Sequence, residues 1–121
     1  MKKILVVDDD PYILMSLEFV MKKGGNEVLV ARDGTEALDI INTNKPDLVL
    51  LDIMMPDVDG YSICSYIKAT NNLKDIIVVF LSAKTQEADI QKGLSLGAAR
   101  YICKPFSTRD LAKEIKELLD N

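Results

Sequence analysis

Five short apolar runs punctuate the chain: Ile4–Val7, Val28–Ala31, Leu48–Leu51, Ile76–Leu81 and a weaker one at Tyr101–Cys103. A segment of helical periodicity follows each. The runs are rich in β-branched residues and nearly continuous, the pattern of strands covered on both faces. Five strand–helix units in alternation predict a parallel sheet with right-handed crossovers and helices on both sides, a doubly wound α/β fold. Five units fit strand order 2-1-3-4-5 better than the six-stranded dinucleotide-binding order, and no G-x-G-x-x-G follows the first run. At 121 residues the chain is about one domain long, so 1–121 is read as a single unit.

The helices have legible ends. The first opens at Asp10-Pro11, a capping carboxylate followed by proline where its missing N–H costs little, and Gly24-Gly25 close it. Its expected core face is Ile13, Leu17, Val20 and Met21; an opposed stripe, Tyr12, Met15 and Phe19, either packs partly on the fifth helix or forms a docking surface. The second starts near Asp33, with Glu36 three residues on, and buries Ala37, Leu38 and Ile41. The third follows Asp59-Gly60 and buries Ile63, Cys64 and Ile67. The fourth, about Thr85 to Leu96, is the weakest, with Gly93 inside it and few apolar residues. The last opens at Ser107 and presents Leu111, Ile115, Leu118 and Leu119.

Composition removes whole classes of function. Fifteen Lys+Arg against nineteen Asp+Glu leave a net charge of −4, so the basic footprint of a nucleic-acid binder is missing. No apolar run approaches the ~18 residues of a membrane span, and the N-terminus does not read as a signal peptide. Cys64 and Cys103 form no C-x-x-C pair and are expected to be reduced, buried thiols of a cytoplasmic protein. There is no histidine, which excludes Ser-His-Asp triads, Cys-His dyads and His-ligated zinc.

What remains collects at the carboxyl ends of the predicted strands, where doubly wound sheets place their sites. Asp8 and Asp9 follow the first run, Asp52 the third, Ser82 the fourth and Lys104 the fifth. At an effective dielectric of ~20, two carboxylates ~5 Å apart repel by roughly 3 kcal/mol, so three acids at one rim call for a compensating cation. Mg²⁺ suits an all-oxygen set. Asp52, ending the most deeply buried strand, has the character of a carboxylate nucleophile that forms aspartyl-phosphate. The metal and the Lys104 ammonium would neutralise phosphoryl oxygens, and Ser82 would donate a hydrogen bond to them.

These residues sit in four fragments: VVDDD at 6–10, PDLVLLDIMMPDVDG at 46–60, FLSAK at 80–84 and GAARYICKPF at 97–106. Together and in this order, they resemble a receiver domain of a bacterial-type response regulator, whose fold is flavodoxin-like. The resemblance implies that Asp52 is the phosphoacceptor. It implies that Asp9 and Asp52 bind Mg²⁺ with the Met54 carbonyl, and that Asp8 acts mainly through water. It further implies that Lys104 pairs with the phosphoryl group, that the Lys104–Pro105 bond is cis, and that Ser82 and Tyr101 form a switch. By the same resemblance, Met54 and Lys84, two residues past Asp52 and Ser82, occupy positions that tune loss of the phosphoryl group; methionine cannot orient a water as an amide can, so slow self-dephosphorylation is expected.

The implied partners are a sensor histidine kinase or histidine phosphotransfer protein, and a downstream protein or an output domain outside this chain. The resemblance implies that the face of the fourth helix, fifth strand and fifth helix carries the output. Ala99-Arg100 stands where DNA-binding relatives often carry an acidic pair, so a monomer or a weak phosphorylation-dependent dimer is expected. Two other functions compete: a metal-dependent phosphatase with a covalent aspartyl intermediate, and a protein-binding module that has lost its chemistry. A calcium loop at Asp57-Val58-Asp59-Gly60 fails, because its twelfth position is Tyr66.

Overall fold

The computed structural model describes residues 1–120. Five strands, β1 (Lys3–Val7), β2 (Glu27–Ala31), β3 (Leu48–Asp52), β4 (Ile77–Ser82) and β5 (Arg100–Cys103), alternate with five helices. These are α1 (Pro11–Lys23), α2 (Gly34–Asn44), α3 (Gly60–Ala69), α4 (Glu87–Ser95) and α5 (Thr108–Asp120). All pairings are parallel and the order is β2-β1-β3-β4-β5. The expected doubly wound, flavodoxin-like α/β fold is therefore the observed one.

The period of two along each strand divides the core into halves. Val49, Leu51, Val78 and Phe80 face α2 and α3, with Ile41, Ile63 and Ile67 opposite. Leu48, Leu50, Val79 and Leu81 face α1 and α5, where Leu17, Met21, Leu111 and Ile115 meet them. The central strand β3 is buried at every position, whereas β5 is only partly covered, as an edge strand should be.

Helix ends follow the sequence chemistry. Asp10, Asp33 and Asp59 each accept a backbone N–H of the helix they precede, from Tyr12, Glu36 and Ser62. The Ser107 hydroxyl accepts from the Asp110 N–H.

Four expectations need correcting. The buried face of α1 is Leu14, Leu17 and Met21, with Ile13 and Val20 flanking it half-buried; the i, i+3, i+7 set points straight at β1 and β3. Leu38 on α2 is likewise only partly buried. Helix α4 begins at Glu87, not Thr85, because residues just past β4 are held in a loop described below. Of the two thiols, Cys64 is buried but Cys103, on the edge strand, is only half-buried.

Candidate phosphoacceptor site

The parallel register brings the strand ends together. Val7 pairs with Leu51, Asp52 with Leu81 and Ser82 with Cys103, so Asp8, Asp52, Ser82 and Lys104 emerge on one edge. Carboxylate oxygens of Asp8, Asp9 and Asp52 lie within 4.8 Å of one another. Asp8, Asp52 and Ser82 are buried, while Asp9 is exposed.

Asp8 is fixed from two sides. One oxygen accepts the Asp10 N–H at 2.9 Å, and the other accepts the Lys104 ammonium at 2.8 Å. The same ammonium lies 3.6 Å from Asp52 Oδ1. Lys104 thus bridges the two buried acids from 52 residues beyond the second, carried by β5 and followed by a cis bond to Pro105.

The charges explain how the acids tolerate one another. Burial, then the Asp8 charge, push the Asp52 carboxyl up to about 6; Lys104 opposes this and Asp9 adds to it. Burial works against the Lys104 ammonium, but its hydrogen bond to Asp8 and the Asp52 charge outweigh that and hold its pKa above the usual lysine value. One ammonium is too little for three carboxylates. A hard divalent cation fits the donor set, since it takes carboxylate oxygens and keeps waters.

A pH dependence follows for metal-free protein. The folded pKa of Asp52 lies above its unfolded value of 3.8, so its contribution favours folding least once it is ionised. Stability from this group is fully present below pH 3.8 and is lost as pH rises through about 6. Thermal melts in chelator between pH 4.5 and 8 are expected to fall more steeply for wild type than for Asp52→Asn.

Around this rim the switch candidates meet at one backbone unit. The Ser82 hydroxyl accepts the Lys84 N–H at 3.0 Å, and the Tyr101 hydroxyl donates to the Lys84 carbonyl at 2.8 Å. That clamp holds residues 83–85 out of α4. The Tyr101 ring is tilted on Phe80 with centroids 5.9 Å apart. The Lys84 ammonium lies 4.0 Å from Asp89, and its side chain, with Met54 and Asp9, borders an open cavity of about 590 Å³ beside the acids. Met54 itself is largely exposed.

The connection after Asp52 is pinned in ways the sequence reading did not name. The Asp57 carboxylate accepts the Gly34 and Thr35 N–H groups at 2.9 and 2.8 Å and the Thr35 hydroxyl at 2.6 Å. The Thr35 hydroxyl, then these N–H groups, hold its carboxyl well below the usual range. Asp57 is thus a cap for α2, not a metal ligand. Gly60 donates to the Ile53 carbonyl at 2.9 Å and packs directly on the Asp52 backbone. Neither partner is adjacent in sequence; the only signal was the glycine itself, read as a helix start.

Residues 4–116 match the family model of the response regulator receiver domain. The chain belongs to that family and is a receiver domain of two-component signalling. Solved structures carry the likeness over the full length. The chain is 36% identical to the receiver domain of Francisella response regulator 1452, with 98% of this chain and 96% of that one covered and a TM-score of 0.91. It is 34% identical to a CheY-like response regulator receiver domain protein from Methanospirillum hungatei JF-1, covering 99% and 94%, with a TM-score of 0.90. A BeF3-activated DrrB receiver domain is 32% identical, with 100% and 99% covered and a TM-score of 0.92. Among the described residues no helix is long and apolar enough to cross a membrane.

Proposed function

We propose that residues 1–121 act as one phosphorylation-controlled switch that accepts a phosphoryl group on Asp52 from a phosphohistidine donor. The carrying observation is the cluster of Asp8, Asp9 and Asp52, of which the two buried members, Asp8 and Asp52, share one ammonium, Lys104. Asp9, Asp52 and the Met54 carbonyl would hold Mg²⁺, with Asp8 acting through water; the bound ion would neutralise charge on the phosphoryl oxygens. An oxygen of the ionised Asp52 carboxylate forms the new bond to phosphorus as the bond to the donor imidazole nitrogen breaks. Lys104, already 3.6 Å from Asp52, exchanges its Asp8 partner for a phosphoryl oxygen. Ser82 donates its hydroxyl proton to another and releases the Lys84 N–H. That loosens the clamp Tyr101 shares, so the change reaches α4, β5 and α5, the surface read by a downstream protein or output domain. Support for the family-wide part comes from the activated DrrB relative.

Self-dephosphorylation is slow in this reading, because the exposed Met54 offers no group to orient an attacking water. Arg100 pairs within the chain, 3.8 Å from Glu114, which suits a monomer or weak dimer over one locked by charge pairs at this position. Incubation with a small phosphodonor and Mg²⁺, read by intact mass, is expected to add a single phosphoryl group. Repeated turnover on phosphomonoesters would instead mean a phosphatase, and no uptake with no Mg²⁺ binding a protein-binding module only.

The stripe Tyr12, Met15 and Phe19 is exposed, at 77%, 62% and 59%. Its residues are absent from the core between α1 and α5, which is built from Leu14, Leu17, Met21, Leu111 and Ile115. The docking reading is therefore the better one, with the helices bearing a donor phosphohistidine as occupant. Met15→Ala with Phe19→Ala is expected to slow transfer from a protein donor by roughly tenfold or more, without lowering the melting temperature or altering labelling by a small donor.

A further inference from the structure

We infer that Tyr61 is a positioning residue that fixes the resting place of α4 and links it to Asp52 through Gly60, a main-chain route that starts apart from Ser82 and meets Tyr101 at Phe80. This rests on the switch reading above. Helix α4 has little to hold it: Gln86 gives no side-chain cap, and Gly93 is its only buried residue. Something outside the helix must fix it, and two grips are visible.

The first grip is at Gly93, where the helix presses on the core so closely that a Cβ would stand 2.8 Å from Tyr101 and 3.0 Å from Phe80. The second comes from α3. The Tyr61 hydroxyl donates to the Asp89 carbonyl at 3.0 Å, and the Lys92 ammonium lies 4.5 Å from the centre of the Tyr61 ring. Tyr61 and Tyr101 both rest on Phe80, with ring centres 5.5 and 5.9 Å away. The helix therefore sits between two tyrosines, each bonded to the main chain of α4 or of the loop before it.

Tyr61 has its own tie to the phosphoacceptor. It directly follows Gly60, whose N–H is bonded to the Ile53 carbonyl and whose Cα leaves no room for a side chain against the Asp52 backbone. A displacement of the Asp52 main chain is thus passed through Gly60 to Tyr61, and through its hydroxyl to Asp89. The open cavity between Asp9 and Lys92 means that on this side the Tyr61 grip, more than close packing, sets the position of α4.

Tyr61→Phe removes only the hydroxyl. In unlabelled protein, hydrogen exchange of the α4 amides is expected to quicken roughly fivefold, the factor lost with one partly buried hydrogen bond, with β1, β3 and β4 unchanged. Lys92→Gln should move the same amides in the same direction by less. On labelling with a small phosphodonor and Mg²⁺, wild-type α4 should loosen further, and Tyr61→Phe should show a smaller additional change. Unaltered α4 exchange in Tyr61→Phe would overturn the inference, as would a loss of protection spread evenly over the chain. Intact mass on the same samples separates the two readings. If wild type takes up no phosphoryl group, the switch reading fails, while exchange in unlabelled protein still decides whether Tyr61 holds α4.

Discussion

Asp52→Asn is expected to abolish phosphoryl uptake and, in metal-free protein at pH 8, to raise stability by on the order of 2 kcal/mol. The gain follows from the carboxyl being pushed from 3.8 to about 6, mainly by burial and then by Asp8. At about 1.4 kcal/mol per tenfold change in proton affinity this is at most about 3 kcal/mol held against folding once the group is ionised, and solvent at the open rim lowers it towards about 2. The amide keeps shape and hydrogen-bonding capacity but drops the charge, and Lys104 retains its 2.8 Å bond to Asp8. For a chain of this length the melting temperature should rise by roughly 5–10 °C. Saturating Mg²⁺ should narrow or reverse the difference, since the ion favours the wild-type acids. The site is thus a place where function is maintained at the expense of stability. A variant that melts lower than wild type in chelator at pH 8 would contradict this electrostatic picture.

Gly60→Ala should have the largest effect on the fold itself. Alanine at the first helical position is ordinarily a gain of up to about 1 kcal/mol over glycine. Here a Cβ would stand 2.8 Å from the Ile53 Cα and fall on the Asp52 carbonyl oxygen. Both obstacles are backbone, in a strand end buried on both faces, and cannot swing aside. Overpacking of this kind costs roughly 3 kcal/mol, so the clash wins by about 2 kcal/mol or more. Chemical denaturation should show that loss, and the phosphorylation rate of the folded fraction should drop because Asp52 is displaced. Wild-type stability in Gly60→Ala would mean that α3 can move away from Asp52 freely, which would also weaken the case for Tyr61.

The sheet and most of the rim were legible in the sequence because both rest on local signals. Apolar runs fix strands, and in a parallel sheet the residue after each run must lie on one edge, so Asp8, Asp52, Ser82 and Lys104 could be placed together without knowing a single contact. Asp10, Asp33 and Asp59 were legible as caps because a cap's partner is two or three residues away. What was not legible depends on partners far along the chain. Asp57 sits in an acidic, glycine-ended loop, and only the fold shows that its partners are Gly34 and Thr35. Tyr61 reads as one more aromatic on α3 until Asp89 is seen above it. The α1 face was misjudged by one position, since Ile13 and Leu14 are equally apolar and only the direction of β1 and β3 decides between them. The α4 start was set too early because the Ser82 and Tyr101 hydrogen bonds to Lys84 lie outside any helix signal.

Three crowded carboxylates that share their cavity with a divalent ion as well as an ammonium should reveal that ion in a calorimetric magnesium titration near neutral pH. One saturable site per chain is expected, weakened at least tenfold by Asp9→Asn and by Asp52→Asn, and failing as pH falls through about 6, where Asp52 takes up a proton. Wild-type protein that binds no Mg²⁺ saturably, or binds it equally well without Asp9 and Asp52, would contradict that arrangement.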